Sequence, residues 1–457
     1  MAHVFFRLVV SVLVLISSRG AFALEPMAYT VMGRDGQGVL RWITEKSTCP
    51  LVHWDSHPGV PMQLRAAQAT IVARSSQQID RKNANFELRS CEAVWPETVK
   101  SAQVESIVVA APATSYQRIV IIADTGCRMK ASENAFQDCN DSSAWPYAEI
   151  AKRAAEQKPD LVVHIGDIHY RESPCPAQRS GCANSPWGYG ADAWKADFFE
   201  PSAPLLRVAP WLFVRGNHEV CARAGQGWFR YIDAQPWQEN RSCNEPEFDA
   251  LADYSKPYIF SINALTQFLV FDSSATTGKR LEKTSTTFKN YQRQLIGLDS
   301  LLNKNKKTVF LSHHPLLAIA PGRADSNAIA GGNKGLLSVF EEMYQDHLIP
   351  KNIDYLMHGH IHAFEALSFL SPHPASFVLG NSGSAYEGVL PETVSAGLEV
   401  ASGAKVSQFY SHSDYGFSLL EISDKDQAPW KLTAFDRKGN SIFLCELSNQ
   451  TTRCTRH

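Results

Sequence analysis

Five short polar clusters stand in a fixed order along this chain: Asp124-Thr125-Gly126, Gly166-Asp167-Ile168-His169-Tyr170, Gly216-Asn217-His218-Glu219, His313-His314-Pro315 and Gly359-His360-Ile361-His362. Most follow an apolar run of one strand's length, at 119–123, 161–165, 211–214, 308–311 and 354–357. Apolar residues at helical spacing predict helices over 145–157, 291–302 and 334–345. A hairpin is expected from 258–262 and 267–271, with later strands at 377–379, 417–422, 431–435 and 441–444. Strands alternating with helices predict an α/β fold that carries its site on loops at strand ends.

Ahead of this region, residues 24–112 hold short β-like runs at 29–32, 39–43, 69–73 and 85–89, separated by turn-forming residues. They read as a smaller N-terminal all-β domain, joined near 110–114 to a main domain over 113–457. Residues 1–23 read as an export signal: Arg7, the apolar stretch 8–16, then Ala21-Phe22-Ala23 as a small-x-small cleavage pattern. An uncleaved anchor is the competing reading, but the stretch is short for a bilayer. A periplasmic or extracellular protein is therefore expected.

The formal net charge is −2, and loss of Arg7 and Arg19 with the signal takes it to −4. A mildly acidic chain without a basic run lacks the electrostatic footprint for nucleic acid or for an anionic membrane surface. All 10 cysteines lie beyond the signal, and an even count in an exported chain suggests disulfides. Pairing neighbours would join Cys49–Cys91, Cys127–Cys139, Cys175–Cys182, Cys221–Cys243 and Cys445–Cys454, although spacing alone leaves other connectivities open. Cysteine ligation of a metal is disfavoured, because no CxxC pair exists. The segment 171–185 is rich in Pro, Ser and Cys and reads as a stapled loop near the site.

Together the clusters offer three Asp or Asn oxygens, three His nitrogens and one Tyr oxygen. That set is large enough for two metal ions sharing a carboxylate, an arrangement that holds the attacking and leaving oxygens of a phosphoryl transfer. An isolated Asp-x-Gly is usually a turn. Gly-Asn-His-Glu is more specific, since it packs three polar side chains beside one strand end. In Gly-His-x-His the two imidazoles of an extended segment point to one side.

In this order and form the clusters resemble the calcineurin-like metallophosphoesterase superfamily. Tyr170 draws the resemblance toward its purple acid phosphatases, over about residues 118 to 436. The resemblance implies a metallophosphoesterase-type β-sandwich flanked by helices. It implies one metal on Asp124, Asp167, Tyr170 and His362, and a second on Asp167, Asn217, His313 and His360, bridged by Asp167. Carboxylate and phenolate oxygens suit Fe(III), while an Asn oxygen with two imidazoles suits a divalent iron, zinc or manganese. Such a pair acidifies a bound water, and the hydroxide attacks phosphorus in line with the leaving oxygen. His218 would then bind the phosphate and protonate the leaving alkoxide.

Members of that family often carry further histidines after the His-x-Pro segment, whereas 316–332 contains none. His314 or Arg323 is expected to take that part in substrate binding, and His169 either joins the pocket or caps a turn. His164 and His358 read as buried structural histidines, and Glu219 as a partner that orients a ligand. The function expected is an exported, acid phosphatase-like hydrolase of small phosphomonoesters. A phosphodiesterase or nucleotidase on the same scaffold competes with it. So does a catalytically silent metal- or phosphate-binding protein, which a missing ligand would favour; none is missing.

Overall fold

A computed structural model describes residues 26–74, 80–321, 329–386, 388–423, 425 and 428–457. The export signal read at 1–23, and Arg323, lie outside the described residues. No helix among them is long and apolar enough to cross a membrane.

Two large sheets form the core. In chain order the strands that build them are β1 (Met27–Met32), β2 (Gly38–Thr44), β3 (Gln63–Ala66), β4 (Arg89–Val94), β5 (Arg118–Ile122), β6 (Leu161–Ile165), β7 (Trp211–Val214), β8 (Tyr258–Ser261), β9 (Thr266–Phe271), β10 (Lys307–Ser312), β11 (Tyr355–His358), β12 (Phe364–Phe369), β13 (Ala375–Leu379), β14 (Glu399–Ala401), β15 (Ala404–His412), β16 (Gly416–Glu421), β17 (Trp430–Asp436), β18 (Ser441–Ser448) and β19 (Thr451–Arg456). The first sheet runs β19-β18-β17-β16-β5-β6-β7-β1-β2-β4-β3, the second β8-β9-β10-β11-β13-β12-β15-β14. β5, β6, β7 and β1 are parallel to one another, as are β9, β10, β11 and β13.

Strand alternation explains the layering. In β5, Ile119 and Ile121 face the second sheet, while Val120 and Ile122 face α1 (Tyr147–Glu156) with Ile150 and Ala154. In β10, Val309 and Leu311 enter the inter-sheet layer. Phe310 points outward to α2 (Thr286–Leu295) and α3 (Lys334–Tyr344), against Tyr291 and Phe340. Strands buried on both faces read as continuous apolar runs. Each such side chain stabilises the fold by about 1.5–3 kcal/mol on burial. The product is the expected β-sandwich flanked by helices, with few helices.

The N-terminal region is strand-rich, and part of it joins the first sheet: β1 pairs in parallel with β7 (Val31↔Trp211, Met32↔Leu212), and β2, β4 and β3 extend that sheet from there. Residue 112 therefore does not divide that sheet, because β1 covers an edge that β7 would otherwise expose. A separate four-stranded sheet (Leu51–Trp54, Val60–Pro61, Ala102–Val104, Ile107–Val109) packs onto β2 over a core containing Trp42, Trp54 and Trp95, and Ala69–Ile71 pairs with Ala84–Phe86. The helix expected at 291–302 begins earlier, at Thr286, where the Ser285 side chain accepts from the Phe288 N–H at 3.2 Å. It stops before Gly297, whose φ of 82° breaks the helix. All five neighbouring cysteine pairs are disulfides, and Cys175–Cys182 closes the stapled loop.

Candidate metal centre

β5, β6, β7, β10 and β11 run in one direction within their sheets, so the clusters that follow them gather at one edge of the sandwich. Asp124 and Asp167 both adopt left-handed φ values of 55°, and His360 one of 71°. Such angles are costly for residues other than glycine and persist where the surroundings fix them. Here the surroundings are explicit. Asp124 N–H donates to the Gly166 carbonyl (3.0 Å), and Asp124 Oδ2 accepts from the His360 N–H (2.8 Å). Asp167 Oδ1 accepts from the His218 N–H (2.8 Å). A Cβ on Gly216 would stand 2.2 Å from Asp167, so only glycine lets the loops approach this closely.

The side chains converge on a small volume. The Tyr170 hydroxyl lies 2.8 Å from Asp124 Oδ1, 3.0 Å from Asp167 Oδ2 and 2.9 Å from His362 Nε2. His313 Nε2 lies 3.1 Å from Asp167 Oδ2 and 3.2 Å from Asn217 Oδ1. The ring of His360 is 5.2 Å from that of His313 and 4.3 Å from that of His314. Six of the seven expected ligands are thus linked by direct contacts between side-chain atoms, and His360 joins them through its ring. Asp124, Asp167 and His313 form one potential metal-binding group, and His313, His314 and His360 another.

The chemistry of this set fits cations. Carboxylate and amide oxygens and imidazole nitrogens point at one another, and a single phenol proton stands among them. His313 and His362 turn their Nδ1 atoms to the backbone carbonyls of Ile165 (2.8 Å) and Ala385 (2.6 Å), which leaves Nε2 as the donor atom toward the site. Burial, then the Asp124 and Asp167 charges, hold the Tyr170 phenol well above its ordinary range, so a phenolate here requires neighbouring positive charge. Burial works to lower His313, but the Asp167 carboxylate overrides it and raises the group to about 9. A metal would displace that proton.

Glu219 is the support expected. Its buried carboxylate accepts from the N–H groups of Asp167 (3.0 Å), Ile168 (2.8 Å), His169 (3.2 Å) and Gly216 (3.1 Å), binding the second cluster to the third. Sequence reasoning missed Asp197, whose two oxygens accept from the Cys127 N–H (3.0 Å) and the Tyr170 N–H (2.8 Å). It lies on a π-helical turn, Lys195–Phe199, in a segment with no motif. Glu172 and Arg223 were missed as well. They are ion-paired, and Glu172 Oε1 sits 3.0 Å from His218 Nδ1, which also lies 2.9 Å from the His169 carbonyl. His218 Nε2 therefore faces the centre, 3.7 Å from Asp167 Oδ2, with its ring 3.8 Å from that of Tyr170. Neither residue belongs to a recognisable pattern in the sequence.

The three substrate-binding candidates part company. His314 is buried beside His360, with Nδ1 3.2 Å from the Ser273 hydroxyl. The imidazole of His169 is buried away from the other ligands, between Tyr189 and Trp194, while its carbonyl serves His218. Arg323 lies outside the described residues. His164 and His358 are buried against the Thr125 and Ser312 hydroxyls, and burial lowers each to about 3, so both stay neutral structural groups.

The family model for calcineurin-like phosphoesterases matches residues 117–364, just over half of the chain. The chain belongs to that family. It is a metal-dependent phosphoesterase by fold and by its His/Asp metal-binding group. Among solved structures, the fold is similar to the purple acid phosphatase PPD1 from yellow lupin (Lupinus luteus) seeds, at 15% identity over 93% of this chain and 74% of that one, with a TM-score of 0.52. It is also similar to PhoD, at 11% identity over 94% and 91% of the two chains, with a TM-score of 0.50. No curated protein matches the sequence.

Proposed function

We propose that this protein is an exported dimetal hydrolase of small phosphomonoesters, with acid phosphatase-like chemistry. The observation that carries the reading is the Tyr170 hydroxyl, within 3.0 Å of both metal-binding carboxylates and of His362 Nε2. Asp124, Asp167, Tyr170 and His362 would hold a trivalent iron; Asp167, Asn217, His313 and His360 would hold a divalent iron, zinc or manganese. Two cations there supply Lewis acidity to the phosphoryl oxygens and acidify a water. Asp167 would offer its carboxylate to both. His218 presents Nε2 to the leaving oxygen and gives it a proton, while Glu172 and the His169 carbonyl hold Nδ1. His314 lies beside the second ligand set and contacts the phosphate. Five disulfides fit an oxidising, extracytoplasmic location.

Metal analysis with a visible spectrum tests the reading. A phenolate on Fe(III) gives a charge-transfer colour, which zinc with its filled d shell cannot. Tyr170→Phe should bleach or shift the colour. A colourless, fully active protein without iron would replace the iron–tyrosinate centre by two divalent ions. Turnover of diesters in preference to monoesters would move the activity to phosphodiester hydrolysis. A metal-loaded protein that turns over neither would be a binding protein.

A further inference from the structure

A cavity of about 300 Å³ lies between β1 and β7 of the first sheet and β8 and β9 of the second, and none of the metal-binding side chains lines it. Arg34, Arg215 and Asp272, which follow the C-terminal ends of β1, β7 and β9, contribute to its wall. In α/β sheets this end of the strands is where small ligands sit. Trp228, Tyr254 and Tyr258 provide aromatic surface. The charged lining is Arg34, Arg215, Arg241 and Lys256 against Asp233 and Asp272, an excess of two positive charges. Arg34 and Lys256 are exposed.

Arg215 is the buried cation of this lining. Its guanidinium lies 5.1 Å from the Phe229 ring centre. It donates to the Glu219 carbonyl (2.8 Å), the Ala252 carbonyl (2.6 Å) and Asp253 Oδ1 (3.2 Å). Its Nη1 stops 3.8 Å from Asp272 Oδ2, beyond hydrogen-bond reach. A guanidinium has five N–H groups, so donors remain for a guest. A partly apolar, aromatic cavity with surplus cationic donors selects a planar ring that carries an anion.

We propose that this cavity binds a small aromatic anion, one or two fused rings with a single acidic group, and that its occupancy is felt at the metal centre through Arg215. The connection is short. Arg215 Nε holds the carbonyl of Glu219, whose carboxylate carries the backbone of Asp167 and Ile168. A guest that draws on the Arg215 donors acts on the same segment that presents Asn217. The cavity's ligand does not depend on the phosphomonoesterase reading, since no metal ligand contributes to it.

Calorimetric titration of the intact, disulfide-bonded protein with benzoate, indole-3-carboxylate and naphthalene-2-sulfonate, beside neutral indole, tests the proposal. At least one anion should bind saturably and at least tenfold more tightly than indole. Arg34→Ala combined with Lys256→Ala, both exposed and outside the metal-binding group, should weaken it at least tenfold while basal hydrolysis stays unchanged. Asp167→Ala should leave binding intact. Saturating guest should alter kcat/KM toward glycerol 2-phosphate, a non-aromatic substrate, at least twofold in the wild type and not in the double variant. The ligand assignment is overturned by no saturable binding of any of the three anions, by equal binding of indole, by indifference to the double substitution, or by loss in Asp167→Ala, which would place the guest at the metals. Binding without any change in hydrolysis overturns the coupling. A protein without hydrolytic activity would still report through the calorimetric arm.

Discussion

Two regions of this molecule bury charge, and they do so in opposite ways. Between the N-terminal strands and the segment 229–235, Arg41 and Arg65 share the carboxylate of Glu92, and Arg65 Nη1 reaches it at 2.8 Å. Their spare N–H groups go to the carbonyls of Asp233 (2.7 Å), Phe229 (2.8 Å) and Gln235 (2.8 Å). That cluster has more donors than acceptors among its charged groups; backbone carbonyls take most of the difference, and Arg41 Nε and Arg65 Nη2 are left without a hydrogen-bond partner. At the metal centre the excess runs the other way: Asp124, Asp167, Asn217 Oδ1 and His362 Nε2 are acceptors crowded on the Tyr170 phenol and the His313 imidazole. A buried cluster that supplies its own cations is structure, whereas one with surplus acceptors must import positive charge, as a metal centre does.

The sharpest way to break the comparison is to remove one carboxylate from each region. Asp167→Ala should abolish stoichiometric metal binding and lower turnover by at least about a thousandfold. The circular dichroism spectrum should stay native, because disulfides and both sheets are untouched. Glu92→Gln should leave metal content and kcat at wild-type values. Metal analysis with steady-state kinetics decides the matter, and an Asp167→Ala protein that keeps its metals would break the contrast between the two clusters.

His218 gives the next largest effect and separates proton donation from metal binding. His218→Ala should lower kcat by about a hundredfold, with both metals retained. Burial, with Arg223 beside it, lowers the imidazole below its ordinary range, which favours a proton-donor role at acid rather than neutral pH. Substrates with activated leaving groups need no such proton and should lose less. A uniform loss across leaving groups would assign His218 to phosphate binding.

How much of this contrast was readable beforehand follows from its geometry. The five clusters were legible because each is contiguous and most follow a largely apolar strand, and parallel pairing of those strands brings them to one edge. Sequence-neighbour pairing of the cysteines was right for the same local reason. Glu172 and Arg223 meet across 51 residues, and Asp197 reaches Tyr170 from a π-helical turn; such contacts exist only once the loops have closed. The continuation of the first sheet into β1–β4 was likewise illegible. β1 looks like any short strand, and only its parallel pairing with β7 shows that it belongs to the central sheet.

Glu219 stands between the two regimes, a buried carboxylate that is closed by backbone donors yet serves the open centre. Both of its oxygens accept N–H bonds, so Glu219→Gln turns an amide NH₂ toward donors it cannot satisfy. Metal affinity should fall about 10- to 100-fold, measured by competition with a chelator. An unchanged affinity would mean that the glycine-rich turns alone aim Asp167.

The smallest effect on activity belongs to the arginine cluster, where the consequence is stability. Burial works to raise Glu92, but Arg41 and Arg65 hold its carboxyl below the ordinary range. Glu92→Gln leaves two buried guanidinium groups without their counter-charge and should cost roughly 2–4 kcal/mol near neutral pH. The pH dependence has a fixed sign. A depressed native value means the ionised form stabilises the fold, fully above the unfolded carboxylate value near about 4.3. That contribution is lost as pH falls through the lower native value. Urea unfolding of wild type and Glu92→Gln at pH 7, 5, 4 and 3 should therefore give a constant gap down to about pH 5 and a narrowing one below about pH 4. A gap that persists unchanged at pH 3 would make packing, rather than charge, the basis of the arginine cluster, and would remove one side of the comparison.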